Sequence, residues 1–167
     1  ANANITITNT IVVVNPDAQT DATHTNVATK PDVTPTEQEL QRLVSAFAER
    51  YGSYSNQSDY ANLENLLLFM TNDFQNRTTQ YIIQQRAKRA DTGVYYGIST
   101  RSLLITTNSF AESRGLAEYT VTTSRTEAIG TTANTRDFRQ DVILTLRKVD
   151  GAWKVESAVW QQQQSVR

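Results

Sequence analysis

Around Gly93 the spacing of apolar residues in this chain changes from helical to alternating, and it does not change back. Before that point Leu40, Leu43, Val44, Phe47, Ala48 and Tyr51 recur at helical steps and form one apolar stripe, opposite a polar face of Glu39, Gln41, Arg42, Ser45, Glu49 and Arg50. After it, runs such as Val142, Leu144 and Leu146 alternate with Ile143, Thr145 and Arg147, which is the period of a strand. Helices followed by long antiparallel strands leave one economical solution: α+β, with the N-terminal helices packed on one face of a curved, mainly antiparallel sheet.

The individual elements are well signed. Thr34-Pro35-Thr36-Glu37 has the form of a capping box, with Thr34 as N-cap, Pro35 at the first helical position and Glu37 reaching back. The helix it opens is closed by Gly52. A short second helix is expected at about Tyr60–Met70, with Leu63, Leu66, Leu67 and Met70 inward. A third is expected from Phe74 to about Ala90, capped by Thr71-Asn72-Asp73, with Phe74, Tyr81, Ile82 and Gln85 inward and Arg77, Lys88 and Arg89 outward. Four strands follow, at about Tyr95–Phe110, Leu116–Ile129, Asp137–Val149 and Ala152–Gln162. Turns are expected at Ser113-Arg114-Gly115 and Asp150-Gly151, and an exposed loop or hairpin turn over 130–136. On the last strand Trp153, Val155 and Val159 are expected opposite Lys154, Glu156 and Trp160.

Upstream of all this lies an isolated apolar strand. Ile5 to Val14 is β-branched almost throughout, with Ile5, Ile7, Ile11 and Val13 on one face, and Val12 and Val14 on the other. Residues 15–33 are Asp, Thr, Asn, Ala and Pro without periodicity, and read as a polar tether able to span up to ~60 Å at ~3.3–3.6 Å per residue. A lone strand of this kind must pair with a sheet to be stable in water. The tether is longer than needed to lay it on its own domain, so a neighbouring subunit is the expected acceptor. The residues expected at that subunit interface are Ile5, Ile7, Ile11, Val12, Val13 and Val14.

Composition removes several function classes. The net charge is −1 with acids and bases interspersed, so the basic patch of a nucleic-acid binder is missing. No apolar run approaches the ~20 residues of a bilayer span. There is no cysteine, hence no disulfide or thiolate chemistry. Clustered metal ligands and phosphate loops are also absent from the pattern, and no cofactor is expected. The single His24 sits in the polar tether, a solvated position. Thr makes up about one residue in seven, Asn and Gln are abundant and Lys is scarce, a bias toward extracellular or cell-surface proteins. The Ala1-Asn2-Ala3 start is compatible with a processed secretory precursor. The Asn-x-Ser/Thr triplets at Asn4, Asn56 and Asn76 are what chance gives in such a chain.

The amphipathic helix Glu37–Tyr51, the helical pair before Gly93 and the closing hairpin Leu144–Val155, with Asp150-Gly151-Ala152-Trp153-Lys154-Val155 at its turn, together resemble the nuclear-transport-factor-2-like superfamily of cone-shaped α+β domains. The resemblance covers about 36–162. It implies a domain over 34–162, preceded by a β arm (1–15) and a linker (16–33) and followed by a tail (163–167). The superfamily contains enzymes, carriers and non-catalytic scaffolds, including a periplasmic assembly factor of type IV secretion systems. Its isomerases and hydratases place an Asp or a His–Asp pair in the mouth of the cone, opposite a Tyr donor. Candidates here are Asp59 and Asp141, with Tyr51, Tyr54, Tyr95, Tyr96 and Tyr119 as donors, but no spacing singles out one pair.

Other polar features read as surface. Arg77, Arg86, Lys88 and Arg89 are a solvated helix face near a C-terminus rather than a phosphate stripe. Gln161–Gln164 reads as a frayed tail, or else as a polar ladder in an assembly, and Trp153 and Trp160 as plugs of the last hairpin. The leading expectation is therefore a secreted, non-enzymatic structural subunit that polymerises into a surface filament by donating its N-terminal strand. The alternatives are a membrane-anchored or periplasmic protein-interaction domain, and a small-molecule-binding cone of the isomerase or hydratase kind.

Overall fold

The structure, a computed structural model, describes residues 35–89 and 93–165. The arm residues Ile5, Ile7, Ile11, Val12, Val13 and Val14, the tether with His24, and the capping residue Thr34 lie outside the described residues.

The α+β expectation holds. Helix α1 (Pro35–Tyr51) begins at the proline that the sequence marks and ends before Gly52, whose N–H still donates to the Ala48 carbonyl. A two-residue strand β1 (Tyr54–Ser55), a single turn of helix α2 (Ala61–Glu64) and a 3-10 turn (Leu67–Phe69) lead to α3 (Asn72–Arg89). Four long strands follow: β2 (Tyr95–Ala111), β3 (Leu116–Gly130), β4 (Thr135–Val149) and β5 (Ala152–Trp160). A two-residue β6 (Gln164–Ser165) ends the described chain. The sheet runs β1-β2-β3-β4-β5, antiparallel throughout, with β6 added on β4.

The core lies between the helices and one face of the sheet. Leu40, Val44, Phe47 and Ala48 of α1 meet Ala117, Tyr119 and Val121 of β3, Val142, Leu144 and Leu146 of β4, and Val155 of β5. Tyr60, Leu63 and Ile82 form a smaller second cluster. Burial at ~25 cal/mol per Å² of apolar surface is what holds the layers together.

Four local expectations need correction. The second helix is broken, because Asp59 and Tyr60 adopt φ of 50° and 60° and the chain then turns as 3-10; Leu67 ends up only partly buried. In α3 the inward row is Phe74, Thr78 and Ile82, one residue every four, and Tyr81 is 38% exposed. The strands β4 and β5 keep register until Thr145↔Ser157 and then slip to Leu146↔Val155, a bulge that leaves Glu156 over. That extra residue reverses the facing of the strand end: Trp160 packs against the core and Val159 is 53% exposed. The glutamine run is not wholly frayed, since Gln164 pairs with Arg139 in β6 and Gln163 accepts a hydrogen bond from Arg136.

Candidate functional site

A candidate site is sought first where the residue after α1 meets the sheet, since the Gly52 carbonyl accepts from Thr100 of β2 and from Arg125 of β3. Alternation along β3 sends Ala117, Tyr119, Val121, Thr123 and Arg125 to the inner face, and all five are buried. The last of them is a charge, 6% exposed. Its Nε donates to Thr100 Oγ1 at 3.1 Å, its Nη1 to Gln140 Oε1, and its Nη2 to the Gly52 carbonyl at 3.2 Å. The guanidinium carbon stands 3.9 Å from the ring centre of Trp160, with Phe138 at 5.6 Å.

No carboxylate among the described residues forms an ion pair with Arg125. The charge is instead met by neutral acceptors, a π face, and the carbonyl just past the C-terminus of α1, where the helix dipole is negative. Burial pulls the Arg125 pKa below its ordinary value. Thr100 Oγ1 also donates to the Gly52 carbonyl at 2.7 Å, and Gln140 Nε2 donates to the Gln161 carbonyl. This end of the interior is thus filled by a polar plug built from α1, β2, β3, β4 and β5.

The candidate carboxylates do not converge on it. Asp141 alternates with the buried Gln140 and Val142, and so lies on the outer face of the sheet. Asp59 is at the surface, 2.9 Å from Arg86 Nε, and Glu64 holds the other side of the same guanidinium at 2.9 Å. Hydrogen bonding to Glu64, and secondarily to Asp59, raises the Arg86 pKa, so Arg86 is a surface strut and not part of a phosphate stripe.

The tyrosines occupy three places. Tyr51, Tyr54, Tyr60, Tyr81 and Tyr96 form an aromatic cluster at the end of α1; Tyr54 and Tyr81 hydroxyls are 3.3 Å apart, and Tyr96 donates to Glu127. Burial raises the Tyr51 and Tyr81 pKa values. Tyr119 stands apart, fully buried, its pKa pushed up to about 12 by burial and by Glu37. Its hydroxyl has no hydrogen-bond partner among the described residues. Tyr95 lines an open cleft with Ser53, Tyr54, Ser55 and Ser58. No carboxylate lines that cleft.

The remaining features are on the surface. Leu43, Ala46, Phe47, Arg50, Leu66 and Phe69 line an apolar groove of about 140 Å³ between α1 and the 3-10 turn, with Leu68 58% exposed beside it. Along the sheet, Leu103 and Leu104 of β2 are 49% and 61% exposed. Sequence reasoning missed Arg125, although the alternation that placed Tyr119 and Val121 inward extends to it. No helix among the described residues is long and apolar enough to cross a membrane, and no cluster of metal-binding side chains occurs among them.

Helices on one face of a curled antiparallel sheet fit a cone-shaped α+β domain. No protein-family model matches the chain, and no curated protein matches it. A solved structure does: CagV, a VirB8 homolog of the type IV secretion system (T4SS) from Helicobacter pylori strain 26695, with a TM-score of 0.52 at 15% identity. The match covers 78% of this chain and 100% of that chain. At this identity the likeness is one of fold.

Proposed function

We propose that this chain is a non-catalytic protein-interaction domain of the nuclear-transport-factor-2-like superfamily, working at the cell envelope as one subunit of a multi-protein assembly of the secretion-system kind. The observation that carries the reading is the filled interior. Where a cone enzyme needs a chamber with an acid or base, Arg125, Gln140, Thr100 and Trp160 are bonded to one another. Apolar surface is offered outside instead, at the groove beside Ala46 and Phe69. The resemblance to a VirB8 homolog supports the envelope-assembly part of the proposal.

A photo-reactive amino acid at the exposed Ala46, in cells making the protein, tests it. The expected product is a discrete crosslinked complex with another protein in the envelope fraction. Uncrosslinked protein throughout, together with saturable binding of a small molecule inside the cone, would overturn the proposal.

A secreted filament subunit is the second reading. It is favoured by the apolar strand pattern of residues 5–14, and it shares the non-enzymatic core.

A further inference from the structure

Among the described residues, the edge of β2 is open over half its length. The N–H groups on that edge of Tyr96, Thr100 and Ser102 are each capped by a side chain: Asn56 Oδ1, Ser53 Oγ and Glu49 Oε1. Beyond Ser102 no strand among the described residues pairs with it, through to Ala111. Bulges at Leu103 and Asn108 shift the phase of the strand, so the outward N–H groups pass to Ile105, Thr107 and Phe110. Unpaired edge groups beside two exposed leucines form a template for another strand.

We propose that the β2 edge, Leu103–Ala111, is the acceptor for the segment Ile5–Val14 of a second copy of this chain. The proposal rests on the interaction-domain reading and names one partner of it. Three observations favour this occupant. The open edge is nine residues long and the segment ten, so the two match in length. The two sides of the edge differ as the two faces of the segment do. On the inner side stand Glu37 and Gln41 of α1, which hold Thr107 Oγ1 at 2.9 and 3.2 Å, a polar flank suited to Thr6, Thr8 and Thr10, and the half-buried Ile105 and Phe110, suited to Val12 and Val14 of the same face. On the outer side Leu104 is bare, suited to Ile5, Ile7, Ile11 and Val13.

The third observation is where α1 begins. The first turn of α1 lies against Thr107, so the first described residues of the chain stand beside this edge. A strand returning to its own edge from there needs a link of the usual ~4–6 residues. Residues 15–34 instead provide a tether of up to ~65–70 Å at ~3.3–3.6 Å per residue, enough to reach a neighbour. Such a contact is head-to-tail, and it propagates or closes into a ring.

Two variants of the full chain test this by light scattering after size exclusion. Leu103→Lys with Leu104→Lys blocks the acceptor at two exposed positions, and Ile7→Lys with Ile11→Lys blocks the donor. Wild type should form concentration-dependent oligomers, and each variant alone should be monomeric. Mixed, they should form a 1:1 dimer, because one keeps its segment and the other its edge. A synthetic peptide of residues 4–15 should slow hydrogen exchange at Ile105 and Thr107 by ~tenfold or more in the donor-blocked protein. Monomeric wild type, variants that still assemble, a mixture that stays monomeric, or unchanged exchange would each overturn the proposal. Persistence of the Ala46 crosslink in the acceptor-blocked protein would show that the interaction-domain reading survives such a failure.

Discussion

Arg125→Met asks whether a buried charge with only neutral partners holds this domain together. Methionine keeps most of the volume but none of the donors. Gly52 O still receives Thr100 Oγ1, so it is not orphaned, whereas Gln140 Oε1 loses the Arg125 donor. An unsatisfied buried acceptor costs ~1–3 kcal/mol, and loss of the contact with Trp160 adds ~2 kcal/mol. Against these stands the desolvation penalty of the charge, several kcal/mol on the scale of buried ions, part of which the variant recovers. The net expectation is a loss of about 1–3 kcal/mol, less than the ~3–5 kcal/mol of breaking a buried ion pair, because no lone charge is left behind. Urea denaturation of the full chain at neutral pH measures it, and in thermal melts ~4 °C per kcal/mol is expected for a domain of this size. Arg125→Met with Gln140→Leu removes donor and acceptor together and should return to within ~1 kcal/mol of wild type. A single-variant loss above ~4 kcal/mol with no rescue by the second change would refute the reasoning, since it would mean the guanidinium faces an anion.

Tyr119→Phe deletes a buried hydroxyl without a partner among the described residues, and should be neutral or stabilise by ~1 kcal/mol; destabilisation in urea melts would count against the packing described. The phenols give a pH dependence: Tyr51, Tyr81 and Tyr119 all have folded pKa values above the ordinary 10.0, so their contribution is intact below pH 10 and is lost as pH rises through the folded values. Stability should therefore fall steadily above about pH 10, followed by phenolate absorbance, and less steeply in Tyr119→Phe. Gly52→Ala would place a Cβ 2.5 Å from Thr100 Oγ1 and 2.9 Å from Trp160 Cη2, and should cost ~1–3 kcal/mol through overpacking, read by the same melts; a silent substitution would contradict the close approach.

How much of this was legible beforehand follows from which signals are local. The α1 start at Pro35, its end before Gly52 and the hairpin at Asp150-Gly151 were readable, because each depends on the backbone preferences of the residues themselves. The facing of Trp160 was not, since strict alternation cannot reveal a bulge at Glu156 that is set by how β5 fits β4. The break at Tyr60 hid for a similar reason: a left-handed tyrosine has no composition signal, and it is held by its own burial beside Leu63 and Ile82. Asp141 and Arg125 were both decidable from alternation alone, one outward beside Val142 and one inward after Thr123.

The plug at Arg125 also constrains where function can reside. Its five contacts come from four separate elements: Gly52 after α1, Thr100 on β2, Phe138 and Gln140 on β4, and Trp160 on β5, all meeting a guanidinium from β3. Opening a chamber there would undo several of these contacts at once and strand a charge in a low-dielectric interior, a cost of several kcal/mol that a small ligand would have to offset on binding. An outer edge has no such barrier. The N–H groups of Ile105 and Thr107 stand free of strand partners among the described residues, and Leu104 is already in water. A docking strand would satisfy the former and cover the latter without moving the core, so selection for binding can act on β2 while the packing of β3 and β4 stays as it is.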